Sequence, residues 1–215
     1  ITNYLKTAWR NLVRNKTFSL INIIGLAVGF TCFMLIGAWV VCELNYDKYP
    51  REAKKIYRVM LSTTNNGDMA VYPNVDGAVA QGMKDAFPEV LTAARVTTAR
   101  DFVKYENRQF KKDRLAFADS NFLQLFSIPF IEGNPSTALV RPNTVVISAE
   151  LATKYFGSGN PLGKILSIGI RGGIFEVTGV YDKFPEQSHM HFDAVISLTT
   201  RGSGGGTWSN IGYYT

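Results

Sequence analysis

The longest apolar run in the chain extends from Leu20 to Val41, which is 22 residues without a charged side chain. An α-helix rises about 1.5 Å per residue, so about 20 apolar residues cross the hydrocarbon core of a bilayer. Only Asn22 and Thr31 interrupt the run, and its apolar character continues around the whole helix, as expected where lipid is the solvent. The pattern therefore predicts one membrane-spanning helix within residues 18–44.

A second pattern precedes this helix. Apolar residues between positions 5 and 13 recur at the spacing of one helical face, and basic side chains occupy the other face. A basic amphipathic helix lies in the membrane interface and does not cross it. Residues 1–17 are therefore predicted to form an interfacial helix, which is either a topology anchor or a docking surface for a cytoplasmic partner.

The charges on either side of the apolar run predict its orientation. Four basic residues and no acidic residue precede it, whereas Glu43 and Asp47 follow it. Because positively charged flanks stay in the cytoplasm, the N-terminus is predicted to be inside and residues after about 45 outside.

A cleaved signal peptide would have a shorter apolar core, of about 7–15 residues, followed by small residues. This run instead ends in the bulky sequence AWVVCELNYD.

Composition narrows the function classes. The chain has 23 basic and 17 acidic residues, a net charge of +6, and the acid-free N-terminal segment contributes much of the excess. No basic stripe is interleaved with aromatic residues, so no nucleic-acid interface is predicted. Both cysteines, Cys32 and Cys42, lie in or at the end of the predicted membrane helix. The outer domain therefore has no disulfide framework and must be held by its own core.

The part of the chain after residue 45 mixes strands and helices without a regular βαβ alternation, which predicts an α+β domain over residues 45–215. Predicted strands cover 56–62, 91–105, 109–118, 144–147, 165–170, 174–181 and 192–198, and predicted helices cover 74–87, 119–126 and 148–156. Asp119 or Ser120 is expected to cap the second of these helices, and Ser148 and Gly157 the two ends of the third. The stretch RGSGGG, residues 201–206, is predicted to be flexible, as a natural loop tip or an engineered junction.

Few residues in the chain suggest chemistry. The segment GNPLGKI, residues 159–165, is not a phosphate loop, because Ser158 replaces the first required glycine and Ile165 follows the lysine. His189, His191 and Asp193 would share one face of a strand, where they form either a metal site or a polar turn leading into that strand. No other metal or catalytic motif is evident.

Five segments in succession resemble MacB-like and FtsX-like ABC transporter permeases, particularly the form abundant in Bacteroidetes. They read NYLKTAWRNLVRNKTFSLINIIGLAVGFTCFMLIGAWVVCELNYDKYPREAKKIYRV, FADSNFLQLFSIPFIEGNPSTAL, PNTVVISAELATKYFG, NPLGKIL and FEVTGVYDKFPEQSHMHFDAVISL. The resemblance covers essentially the whole chain. It implies a permease of the bacterial inner membrane with a periplasmic core domain and no catalytic activity or cofactor of its own.

The resemblance also implies partners. A separate cytoplasmic ATPase subunit would bind ATP, and a second permease copy or half would pair with this one in the bilayer. A periplasmic adaptor or an outer-membrane protein would be a further partner. The interfacial helix would place Trp9, Arg10 and Arg14 near the ATPase. Gly25 and Gly29, a G-x-x-x-G pair, would lie on a helix-packing face.

On this basis we expect the chain to be the N-terminal part of a longer permease that works by mechanotransmission. ATP-driven dimerisation of the ATPases moves the membrane helices, and the periplasmic domains move in response. This architecture is compatible with lipoproteins, peptides or amphiphilic drugs as substrates. It is equally compatible with the control of cell-wall hydrolases.

Two alternatives from other classes stay open. A single-pass membrane-anchored receptor or binding module would explain one helix and an outer domain, although the 17 residues before the helix offer no signalling output. An anchored periplasmic enzyme would need convergent titratable groups, for which His189, His191 and Asp193 are the candidates.

Overall fold

The structure, a computed structural model, describes residues 2–65, 67–106, 108–109, 113–169, 172–186, 188–201 and 211–213. The chain divides into two units, Ile1–Tyr46 and Asp47–Thr215.

The first unit consists of two helices, α1 (Thr2–Arg14) and α2 (Lys16–Leu44). At 29 residues, α2 is about 43 Å long, and it is long and apolar enough to span a membrane. None of its residues is buried within the structure. The hydroxyl of Thr31 donates a hydrogen bond to the main-chain oxygen of Ala27 at 2.8 Å, so this polar group is satisfied inside the helix.

The second unit is an α+β domain, as predicted. Its strands are β1 (Leu61–Asn65), β2 (Asp68–Tyr72), β3 (Val75–Asp76), β4 (Val96–Asp101), β5 (Val103–Tyr105), β6 (Arg108–Gln109), β7 (Asp113–Ala118), β8 (Phe130–Gly133), β9 (Thr144–Ser148), β10 (Ile165–Ile168), β11 (Gly173–Tyr181), β12 (Ala194–Ser197) and β13 (Ile211–Tyr213). Its helices are α3 (Val79–Ala86), α4 (Phe122–Leu125) and α5 (Ala149–Phe156).

Nine of the described strands form one mixed sheet in the order β4-β7-β12-β9-β11-β10-β5-β6, and β8 also pairs with β11. Strands β4 and β5 are separated along the chain only by Phe102, yet five strands lie between them in the sheet. The sheet must therefore curl until its two ends meet. Outside this sheet, β1 pairs with β2 and β13 with β3, both antiparallel.

The central strands β9 and β12 are buried on both faces, because each face of the sheet has its own core. Val146 and Val195 point into a first core cluster, which also contains Phe122, Leu139, Tyr181 and Phe184. Their chain neighbours Val145, Ile147, Ala194 and Ile196 point into a second cluster with Leu151 and Tyr155 of α5. Alternate residues of a strand point to opposite faces, so two apolar faces require an unbroken apolar run.

Helix α5 is fastened to the sheet by polar contacts. The Lys154 ammonium lies 2.6 Å from a carboxylate oxygen of Asp113, whose residue is only 6% exposed. The Tyr155 hydroxyl donates to the main-chain oxygen of Val103 at 2.7 Å and lies 3.2 Å from the other Asp113 oxygen. The buried carboxylate thus has a charged partner, without which its desolvation would be costly.

The predicted ends of α5 are confirmed. The Ser148 hydroxyl accepts a hydrogen bond from the main-chain N–H of Leu151 at 3.1 Å, and Gly157 follows the helix with φ of 64°.

The predicted cap of α4 is wrong. Asn121 precedes this helix and makes no side-chain cap. The Asp119 carboxylate instead accepts two hydrogen bonds from the Arg95 guanidinium, both at 2.9 Å. Two parallel bonds from a guanidinium hold a carboxylate more strongly than one bond from a main-chain N–H, so Asp119 binds Arg95 and does not cap α4.

Several predicted boundaries also differ from those observed. Residues 56–60, predicted as strand, have no regular structure, and β1 begins at Leu61. The predicted helix over 74–87 begins only at Val79, after the short strand β3. Strands β2, β3, β8 and β13 were not predicted. Residues 202–206, predicted to be flexible, lie outside the described part of the chain.

Truncation of Leu139 should destabilise the outer domain. This side chain is fully buried in the first core cluster, so Leu139→Ala should cost about 2–5 kcal/mol by transfer and cavity formation. Leu91→Ala, at a side chain 86% exposed, is the matched control and should leave stability unchanged. Thermal unfolding of the detergent-solubilised protein measures both; equal melting temperatures for the two variants would contradict the assignment of this core.

Candidate functional site

The candidate site lies where the chain enters the second unit, directly after α2. We call residues 47–50 the exit segment. The Asp47 carboxylate accepts two hydrogen bonds from one residue: the main-chain N–H of His189 at 3.1 Å and the ring Nδ1–H of His189 at 2.7 Å. Asp47 has φ of 56°, a left-handed conformation that aspartate tolerates better than most residues. Two positions 142 residues apart in sequence are thereby joined.

The second half of the exit segment is attached to the domain by burial of apolar surface. Pro50 is buried, and Tyr49 packs against the first core cluster. Burial raises the pKa of Tyr49 to about 12, an effect that Ser188 partly offsets and the negative charge of Asp47 increases. The exit segment is therefore attached to the interior of the domain as well as to its surface.

The partner of the exit segment is the connection between β11 and β12, residues 182–193, which we call the tie loop. The Tyr181 hydroxyl donates to the main-chain oxygen of Phe192 at 2.6 Å. The Phe184 ring makes edge-to-face contacts with the rings of Tyr181 and Phe192, with centroids 5.4 and 5.6 Å apart. Aromatic pairs of this geometry add to the stabilisation from burial, so the loop is fixed to the sheet.

The end of the tie loop is bound to two further strands. The Asp193 carboxylate accepts hydrogen bonds from the main-chain N–H of Arg114 at 2.6 Å and from its guanidinium at 3.0 Å. These bonds to Asp193 raise the pKa of Arg114. The main-chain oxygen of Asp193 accepts from the N–H of Ser148, so β7 and β9 are both connected to this residue.

A cleft of about 310 Å³ lies along the same loop. Its lining carries both signs of charge, with Arg114 and Lys183 beside Glu150 and Glu186, and it includes His191.

The structure does not bring together His189, His191 and Asp193, which the sequence allowed as either a metal site or a polar turn. They precede β12, which begins at Ala194, so they do not share a strand face. His189 binds Asp47, Asp193 binds Arg114, and His191 lines the cleft. Within the described residues, no group of three or more His, Cys, Asp or Glu side chains is placed to hold a metal ion. These separate contacts fit the polar-turn interpretation.

The other predicted site residues lie in the first unit. Trp9, 71% exposed, and the exposed Arg10 and Arg14 are on α1. Gly25 and Gly29 lie one turn apart on α2, and within the described structure a Cβ at either would have nothing within 4 Å. The docking and packing roles of these residues stay predictions.

Sequence reasoning missed the pair of Asp47 and His189. Both belong to segments that are conspicuous by composition, NYDKYP and QSHMHF. Nothing in one sequence, however, links two segments so far apart.

Comparison with known proteins gives one family. Residues 19–212 match the family model described as MacB-like periplasmic core domain. No curated protein matches the chain.

The solved structures similar to the chain include the following three. A domain of a protein described as a permease from Porphyromonas gingivalis has a TM-score of 0.62 and 25% identity, over 72% of this chain and 68% of that one. The periplasmic region of MacB from Actinobacillus actinomycetemcomitans has a TM-score of 0.50 and 17% identity, over 66% and 64% of the two chains. The extracellular domain of the noncanonic ABC-type transporter YknZ from Gram-positive bacteria has a TM-score of 0.53 and 16% identity, over 74% and 81%. The last two show likeness of fold.

The alkaline stability of the protein should depend on Tyr49. Between about pH 10 and pH 12 the unfolded chain ionises this tyrosine while the folded protein keeps its proton, so stability falls as pH rises through this window. Tyr49→Phe removes that contribution, and its melting temperature should fall less steeply above pH 10 than that of the wild type. Tyr57→Phe, at a side chain 81% exposed, is the control and should follow the wild type. If the melting temperature of Tyr49→Phe falls above pH 10 as steeply as that of the wild type, burial of Tyr49 does not raise its pKa as stated.

Proposed function

Because the chain belongs to the family with a MacB-like periplasmic core domain, we propose that it serves in the permease subunit of an ABC transporter and couples ATP hydrolysis by a separate cytoplasmic ATPase to movement of its periplasmic domain. The transporter would export or extract a periplasmic or membrane substrate by mechanotransmission. ATP would be bound by the partner subunit, and this chain would hold no cofactor.

One observation carries the proposal: the exit segment, which follows α2, is attached to the core of the outer domain. Asp47 is bonded to the tie loop, and Tyr49 is packed against the first core cluster. Only Asn45 and Tyr46 lie between the end of α2 and Asp47. A displacement of the outer end of the helix therefore reaches the domain through a very short covalent path.

The features of the first unit support the rest of the assembly. The basic flank before the apolar helix favours a cytoplasmic N-terminus, and the domain that follows would then be periplasmic. The exposed side chains of Trp9, Arg10 and Arg14 on α1 offer an aromatic and basic surface to the ATPase. The open face at Gly25 and Gly29 allows close approach of a helix from a second permease copy or half. A periplasmic adaptor or an outer-membrane protein would complete the assembly.

The ATPase partner should be lost when the charge of α1 is reversed. The full permease is tagged, extracted from its own membrane in mild detergent, and its stoichiometric partners are identified by mass spectrometry. We expect a P-loop ATPase with the wild type and its loss from the Arg10→Glu, Arg14→Glu double variant.

The matched control is the double variant Lys84→Glu, Lys164→Glu, which makes the same charge change at two exposed lysines of the outer domain. It should retain the ATPase. If the folded wild-type protein brings no ATPase with it, the permease proposal fails and the receptor hypothesis takes its place. If the α1 variant keeps the ATPase, the docking role of Arg10 and Arg14 is wrong.

A further inference from the structure

We propose that Asp47 and His189 form the positioning pair that transmits movement of the exit segment to the sheet of the outer domain. The inference rests on the proposed function and deepens it, because it assigns the transmission to two named side chains. Breaking the pair should disconnect the exit segment from the domain without unfolding the domain.

The contacts of the exit segment differ in what they can transmit. The packing of Tyr49 and the burial of Pro50 hold the segment against the domain, but the hydrophobic effect has no direction, and an apolar contact tolerates sliding. Hydrogen bonds do have direction. Both oxygens of the Asp47 carboxylate are engaged by one residue, which fixes position and orientation together. A further polar contact nearby, from the N–H of Arg51 to the Ser127 hydroxyl, is long at 3.4 Å.

His189 has a stiff support on both sides. Its side chain is 59% exposed, but its chain neighbours Ser188 and Met190 are 0% and 5% exposed. The N–H of Met190 donates to the Ser188 hydroxyl at 3.1 Å. A force applied to the His189 ring and main chain is therefore received by two buried residues of the tie loop.

From the tie loop the force reaches the centre of the sheet. The loop begins at the end of β11 and leads into β12, and these two strands lie on either side of β9. Asp193 adds bonds to β7 and β9. Strands that are close-packed on both faces move together, because dense interiors have little room to deform.

The pair is too exposed to be explained by stability. The side chains are 59% and 41% exposed, and polar pairs at that exposure contribute little to folding because water competes for the same atoms. The pair also holds Asp47 in a left-handed backbone conformation that is uncommon for residues other than glycine. A contact that contributes little to stability, yet fixes the first residue of the domain in an uncommon conformation, fits a positioning role.

The test follows the exit segment with two spin labels inside the second unit. In a Cys32→Ser, Cys42→Ser background, Lys48→Cys labels the exit segment and Lys164→Cys labels the domain; both lysines are exposed. The distance distribution between the labels is measured by pulsed electron spin resonance in the full permease with its ATPase in nanodiscs, without nucleotide and with trapped ATP.

The variants separate positioning from packing. His189→Ala removes the ring bond, whereas His189→Asn can keep a donor near the Nδ1 position without the ring. Glu186→Gln is the control, because it weakens the exposed pair of Lys183 and Glu186 on the same loop. All variants should melt at the wild-type temperature.

We expect one narrow distance population in the wild type and in Glu186→Gln, with and without ATP. His189→Ala should broaden the distribution without nucleotide and shift it with ATP, and His189→Asn should restore the narrow population. The positioning role would be overturned if the distance distribution of His189→Ala were as narrow as that of the wild type both without nucleotide and with ATP. It would also be overturned if His189→Ala had a lower melting temperature than the wild type, because the pair would then be structural. The measurement without nucleotide tests only whether Asp47 and His189 position the exit segment. If the distance distribution of His189→Ala is broad but does not shift when ATP is trapped, the result counts against the proposed function.

Discussion

The burial of both faces of the central strands is the constraint on which the outer domain depends. Strands β9 and β12 each supply alternate side chains to two separate apolar clusters, so the sheet must be covered on one side and curl around a core on the other. Burial on both faces explains why β9 and β12 contain the continuous buried runs TVVI and AVI. It also explains why β5 pairs with β10 and why α5 packs on the sheet through Tyr155. The domain has no disulfides among its described residues, so close packing of this sheet gives it the rigidity that a transmitted displacement requires.

The tie loop adds a functional consequence to that packing. It joins the two strands that flank β9, and it also supplies His189 to the exit segment. The described residues of this loop therefore contribute to the core through Phe184 and Met190 and to the attachment of the exit segment through His189. The cleft lined by His191 and Arg114 lies along this loop as well. Membership of the MacB-like periplasmic core domain family gives this arrangement its context, a domain carried by a membrane permease.

The sequence predicted those features whose causes are local. The membrane helix, the α+β class, the strand at Thr144–Ser148 and the caps of α5 follow from apolar patterning and capping chemistry within a few residues. The misses share a long-range cause. Asp119 was predicted to cap α4 but binds Arg95, 24 positions earlier, and the supposed strand face of His189 and Asp193 is a loop whose residues are drawn to Asp47 and Arg114. Such pairings follow from tertiary contacts, on which propensity carries no information.

Hydrogen exchange tests the central claim, that the exit segment and the tie loop carry movement from the membrane helix into the sheet. The full permease with its ATPase in nanodiscs is compared without nucleotide and with ATP trapped on the ATPase. The account predicts that amide protection changes in residues 47–50 and in the tie loop, while β9 and β12 keep the same high protection in both states. Unchanged protection of both segments, with ATP demonstrably bound, would contradict it.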